Sequence, residues 1–198
     1  MLKNTIFILL MMTAMQSYAQ TAKRYLKDAI DLATVDFDTF NVADFYSQAG
    51  NVVYKKEVNG FADPAIFGYV YGTQAVGITD IAGTFNGVKY CALSMVINKE
   101  GKLIAICAEA APTKTKDIDQ RIKAIEGKYG QASPLPKHGY AFTQSGKYLQ
   151  LSLVQAMDDY NKPIPDTYTT YLYMIDKAYL ERIKEGLTGN EFKPLSGM

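Results

Sequence analysis

The sequence predicts an α+β fold, a mostly antiparallel sheet with helices packed on one face. Apolar spacing switches along the chain between the helical period and the strand period. Consecutive strand-like runs are joined mostly by short turns, which suit antiparallel neighbours. The segments run helix, several strands, helix, three strands, helix.

The chain opens on the pattern of a cleavable export leader. Lys3 is a positive start, Ile6 to Met15 form an apolar run broken only by Thr13, and Ser17-Tyr18-Ala19 offers small residues where a signal peptidase reads. Cleavage is expected after Ala19. The apolar run is about half the roughly 20 residues a membrane-spanning helix needs, so an uncleaved anchor is the weaker reading. No cysteine follows the leader for lipid attachment, and no later run is long and apolar enough to span a bilayer. Residues 20–198 then suit a single α+β domain, or at most two small ones.

In order, Ala22, Tyr25, Leu26, Ala29, Ile30 and Ala33 fall on one helical face and predict a helix over Thr21–Ala33. Residues 34–64 read poorly; Val35, Phe37 and Phe40 fit a strand or an irregular crossing, and Asn51–Val58 a short strand. Ile66–Tyr71 alternates as a strand, Val76–Ile81 fits another, and Asn86-Gly87 marks a turn. Val88–Ile97 and Leu103–Ala108 form the clearest hairpin, with Gly101 where a left-handed residue is wanted. Both arms are apolar on both faces, which places them mid-sheet.

A second helix is expected over Lys116–Tyr129, with Ile118, Ile122 and Ile125 as its buried stripe and Gly130 as its cap. After a loop punctuated by Pro134 and Pro136 come strands Tyr140–Thr143 and Lys147–Val154, joined at Gln144-Ser145-Gly146. A loop holding Pro163 and Pro165 leads to Tyr168–Ile175. Asp176 is a good N-cap for a last helix carrying Tyr179, Leu180 and Ile183.

Charge excludes some partners. The chain has 21 Lys and Arg against 20 Asp and Glu, and loss of Lys3 with the leader leaves the two signs equal. Nucleic-acid binding and polybasic membrane attachment both need a cationic excess, so neither is expected, nor is stable membrane insertion after cleavage.

Most catalytic motifs fail on a specific residue. Gly72–Thr79 has the glycine spacing of a phosphate loop, but Ile78 stands where its lysine is required. His138 is the one histidine, which rules out a two-histidine metal motif within the chain. It could act as a general base, though no Gly-x-Ser-x-Gly elbow accompanies it, and a surface histidine without a special role is the default. Asp36 with Asp38, or Asp158 with Asp159, could hold a cation, yet Ile164 and Thr170 occupy the glycine and glutamate places of a calcium loop. No metal site and no cofactor is called for.

Cys91 and Cys107 have three readings. With Asn98 opposite Lys102, Leu93 would face Cys107, and Cys91 would be its diagonal neighbour at about 7–8 Å, long for a disulfide. Two buried thiols fit better than a disulfide, and a nucleophilic Cys107 paired with His138 is the third.

Tyrosine is abundant and tryptophan absent. Phe67, Tyr69 and Tyr71 share one face of a strand, and Tyr171 and Tyr173 one face of another. If both faces lie opposite the helices, they make an aromatic platform for a ligand or protein partner; otherwise tyrosine simply suits half-buried strands. The expectation is an exported, periplasmic or secreted, non-catalytic binding or interaction module, with an envelope or extracellular protein or a small ligand as partner. The alternative is an exported hydrolase whose site includes His138.

Overall fold

The computed structural model describes residues 29–49, 53–57, 67–73, 82–135, 139–143 and 146–186. In chain order the strands are β1 (Ile30–Asp31), β2 (Val53–Glu57), β3 (Phe67–Thr73), β4 (Gly83–Phe85), β5 (Val88–Tyr90), β6 (Ala92–Asn98), β7 (Leu103–Lys114), β8 (Ser133–Leu135), β9 (Gly139–Thr143), β10 (Lys147–Met157) and β11 (Pro163–Asp176). The helices are α1 (Val42–Ala49), α2 (Thr115–Tyr129) and α3 (Leu180–Gly186).

Among the described residues the large sheet has eight strands in the order β2-β3-β6-β7-β11-β10-β9-β8. Every pairing in it is antiparallel. A second sheet of three strands, β1-β4-β5, adds one parallel pair, β1 with β4. The fold is α+β with a mostly antiparallel sheet, as the turn lengths require.

Hairpin β6–β7 sits mid-sheet because its residues can be buried on both sides. Gly101 at φ 85° closes its turn, and Asn98 donates its backbone N–H to the Lys102 carbonyl at 2.9 Å. A register shift between Val96 and Ile97 then alters the pairing upstream: Ser94, not Leu93, stands opposite Cys107. The register inferred from the turn alone is corrected by one residue, and in a sheet one residue means the other face.

The two faces are covered differently. Leu93, Met95, Ile106, Leu151, Leu172 and Met174 pack with Ile118, Ile122 and Ile125 of α2 in the main core. The expected stripe of α2 is therefore the buried one, and Tyr129 extends it. Gly130 ends the helix at φ 86° and ψ 177°, a combination open essentially to glycine alone. The small sheet and the 32–42 segment join this core through Phe85, Tyr90, Leu32, Val35, Phe37 and Val42. Val96, Ala105, Cys107, Tyr173 and Ile175 form a smaller cluster with Ile183 of α3. Packing of helices on one face thus describes α2; the short α3 lies against the other.

Several local expectations are corrected. The helix over Thr21–Ala33 fails where its end is described: Ile30–Asp31 is a strand paired with Gly83 and Thr84, and Leu32–Thr34 is one 3₁₀ turn capped by the Asp31 carboxylate. Long-range pairing overrides the helical spacing there. Part of the unreadable stretch is helix α1, capped by Asn41 Oδ1, which accepts from the Asp44 N–H at 3.0 Å. Pro163 and Pro165 lie within β11, not in a loop before it. Pro134 lies in the edge strand β8, where a missing N–H is tolerated. The expected strand Val76–Ile81 lies outside the described residues. Asp176 caps the final helical segment as predicted, accepting from the Ala178 N–H at 2.9 Å.

Candidate functional site

Ladder register fixes which side chains share the face opposite α2. Antiparallel partners point the same way, so Ser94, Cys107, Tyr173, Gln150 and Ala141 form one row. The next row is Ala92, Glu109, Tyr171, Ser152 and Gly139. Helix α3 covers one end of this face: Tyr173 and Ile175 are fully buried beside Ile183. Away from α3 the cover thins. Tyr171 is half-buried, and Val154, farther along β10, is 41% exposed.

The face is polar for a sheet surface this sheltered. Gln150 and Ser152 are buried, and Gln150 Nε2 donates to Ser152 Oγ at 2.7 Å. The Tyr148 hydroxyl donates to Gln150 Oε1 at 2.9 Å. This chain of bonds satisfies the buried amide and explains why polar residues are tolerated there. The two large groups in the second row, Glu109 and Tyr171, are flanked by the small residues Ala92, Ser152 and Gly139. Glu109, Tyr171 and Ala92 are each only half-buried, so the two side chains that carry chemistry stay within reach of solvent.

Glu109 has no compensation for its burial. It is half-buried, desolvation raises its carboxyl above the ordinary value, and among the described residues no cation or donor pairs with that carboxylate. Its neighbours feel the charge. Burial pushes the Tyr171 hydroxyl up to about 12, with Glu109 adding to the shift. Cys91 is tied to the same residue through its backbone, donating Sγ–H to the Glu109 carbonyl at 3.3 Å.

A pH experiment reads this directly. An acid whose folded pKa is raised binds its proton more tightly when folded, so stability falls as pH climbs through the unfolded and then the folded value. Above that window the ionised Glu109 carries its full cost. Glu109→Gln should therefore stabilise the protein near neutrality and leave it little changed in acid. Urea midpoints of both proteins between about pH 4 and about pH 8 test it, bracketing the carboxylate range. A difference that does not grow with pH would mean the carboxylate is well solvated.

The remaining candidates fall elsewhere. Cys91 and Cys107 are not joined in a disulfide. Cys107 is buried, and burial pushes its thiol up to about 12 while the neighbouring Tyr173 hydroxyl acts the other way. A thiol so held is protonated and unreactive in the folded state. His138 and most of the Gly72–Thr79 segment lie outside the described residues. Asp38 pairs with Lys102 at 2.7 Å, and Asp36 Oδ1 accepts from the Asp38 N–H. Asp158 Oδ1 accepts from the N–H groups of Tyr160 and Lys162 at 2.9 and 2.8 Å. These acids build turns. Among the described residues no group of three or more His, Cys, Asp or Glu could hold a metal ion, and no helix is long and apolar enough to cross a membrane.

Phe67, Tyr69 and Tyr71 all belong to β3. Strands β6 and β7 separate it from β11, which puts three strand spacings, roughly 14 Å, between the two tyrosine sets. Tyr71 pairs with Met95, whereas Tyr171 and Tyr173 pair with Glu109 and Cys107. Tyr171 and Tyr173 are brought together with Glu109; the β3 aromatics are not adjacent to them. Glu109 itself went unnoticed in sequence, although it is the one charge within the apolar run Leu103–Ala111.

An open cleft of about 430 Å³ lies between the 38–43 segment and the β6–β7 turn, lined by Asp38, Phe40, Asn41, Ile97, Glu100 and Lys102. Lys102 is already shared between Asp38 and Asp176, at 2.7 and 3.4 Å, so this cleft leaves its central cation engaged. Comparison with protein families, with curated proteins and with solved structures found no match.

Proposed function

We propose that the chain is an exported, non-catalytic binding module that takes a ligand on the sheet face around Glu109 and Tyr171. One observation carries the reading: a half-buried carboxylate with no partner among the described residues, beside a half-buried tyrosine ring, in a row otherwise filled by small residues. Desolvating a charge without pairing it is a cost that folding alone does not explain. Small groups with an aromatic wall beside a polar anchor are the usual make-up of a ligand site. Export rests on the leader pattern of Lys3, Ile6–Met15 and Ser17-Tyr18-Ala19. The hydrolase alternative built on His138 gains no support from the described residues.

Screening the chain by amide chemical shifts against small molecules and short peptides of mixed charge tests this. Binders should move Ala92, Glu109, Ser152 and Tyr171 together. Tyr171→Ala, which removes a half-buried ring from the edge of the smaller cluster and leaves the main core untouched, should weaken them roughly tenfold or more, the scale of one buried aromatic contact. Shifts confined to other regions, such as the β10–β11 tip where Tyr160 is 82% exposed, would count against this face.

A further inference from the structure

We infer that the group recognised on this face is an organic ammonium, seated between the Glu109 carboxylate and the Tyr171 ring. The inference rests on the binding reading above and names the chemistry that the site would select.

Charge complementarity comes first. Among the described residues Glu109 is an acceptor without a counter-ion, and four nearby cations are engaged elsewhere. Lys102 bridges Asp38 and Asp176. Lys147 donates to the Val35 carbonyl at 2.8 Å and lies 4.7 Å from the centre of the Phe37 ring. Lys114 Nζ donates to the Pro165 carbonyl and to Thr167 Oγ1, at 3.1 and 2.9 Å. Arg121, on α2, donates to the Thr170 hydroxyl. Among the described residues no cation offsets the carboxylate, and an external one would do so. An anionic ligand would meet like charge, and a neutral donor would hydrogen-bond the carboxylate without offsetting its charge.

The surroundings then decide what kind of cation. A hard divalent ion wants six or more oxygens around it, and this row offers a single carboxylate. An ammonium on carbon needs less: one charge-assisted acceptor and a π-face. Tyr171, directly across the ladder from Glu109, supplies a half-exposed ring at the usual cross-strand separation. Ala92, small and only half-buried, stands beside Glu109 on its other side, and the buried Cys107, Tyr173 and Gln150 of the adjacent row limit the depth. Partial burial lowers the local dielectric and strengthens both contacts.

The test titrates the full chain with three probes, followed by amide shifts: N-acetyl-lysine methylamide, its Nε-acetylated neutral counterpart, and choline. The charged lysine probe or choline should shift Glu109, Ser152 and Tyr171, and whichever binds more tightly identifies a primary ammonium, which donates N–H to the carboxylate, or a quaternary one, which cannot, as the group seated there. Glu109→Gln should weaken that binding roughly tenfold or more, the scale of one charge-assisted contact, while Glu100→Gln leaves it unchanged. Glu109→Gln is also expected to be the more stable protein, so lost binding cannot be ascribed to lost fold. If the neutral probe binds this face as tightly as the charged one, or Glu109→Gln binds like the parent, the ammonium inference fails and the binding reading stands. If neither charged probe shifts this face while compounds of other charge do, the ammonium inference again fails alone. If no compound of any charge shifts it, both fail.

Discussion

Replacing Phe85 by alanine should cost about 3–5 kcal/mol of folding free energy. Phe85 is fully buried at the end of β4, and its ring stacks on Tyr129 with centroids 5.3 Å apart and planes 20° apart. Tyr129 closes the buried stripe of α2, so this one contact ties the three-stranded sheet to the long helix. The turn beside it makes a second tie, as Asn86 Nδ2 donates to the Ala124 carbonyl at 2.9 Å. That bond cannot fill the void left by a ring. The loss should appear as a lower urea midpoint with an unchanged slope, and as a fall in melting temperature of roughly 6–20 °C. Phe85→Leu should recover most of the burial but not the ring pairing, worth about 0.5–1.5 kcal/mol. Equal losses for the leucine and alanine variants would show that the stack matters more than the volume.

The parts of this fold that could be read in sequence are those decided locally. Ile118, Ile122 and Ile125 repeat at helical spacing, and Gly130 adopts a backbone that other residues avoid. Asn86 and Gly87 both take positive φ, 48° and 81°, as their turn requires. What could not be read depends on partners far along the chain. Ile30 looks helical beside Ala29 and Ala33, yet its strand exists because Gly83 pairs with it. Helix α1 hides because Val42, Phe45 and Tyr46 have strand propensity; Val42 is buried in the main core, and Phe40 meets Phe45 with ring centroids 5.6 Å apart. Pro163 and Pro165 read as a loop, but at the end of a hairpin that runs past its neighbours a strand tolerates them.

The candidate site was half legible for the same reason. Tyr171 and Tyr173 show by alternation that they share a face. No local signal shows which residues lie across from them. The shift between Val96 and Ile97 sets Ser94 and Ala92, rather than Leu93, beside Cys107 and Glu109, and so makes the neighbourhood small and polar instead of apolar. A signal for Glu109 did exist. A lone carboxylate inside an apolar strand must either point to solvent or answer to something, and ending that strand at Ala108 left it out of account.

Truncating Ile183 to alanine should then open the closed end of the same face. Ile183 is fully buried and is the residue of α3 that enters the cluster with Val96, Cys107, Tyr173 and Ile175, while Tyr179 and Leu180 pack against its rim. Helix α3 spans seven residues, too few to hold itself, so its position depends on this anchor. A buried isoleucine cut to alanine costs about 2–5 kcal/mol. Here much of that loss should fall on the docking of α3 rather than on the main core, because the α2 side of the sheet shares no atoms with the anchor. Cys107 reports the event. In the parent its thiol is buried and held at about 12, so an aromatic disulfide reagent should label it very slowly. With Cys91→Ser as background in both proteins, Ile183→Ala should raise the labelling rate of Cys107 by roughly thirtyfold, which corresponds to a local loss of about 2 kcal/mol. The urea midpoint should fall by less than that loss implies for the whole fold. If labelling and global unfolding instead shift by the same free energy, the sheet and α3 open as one unit, and the sheltered end of the face is then fixed by the whole core.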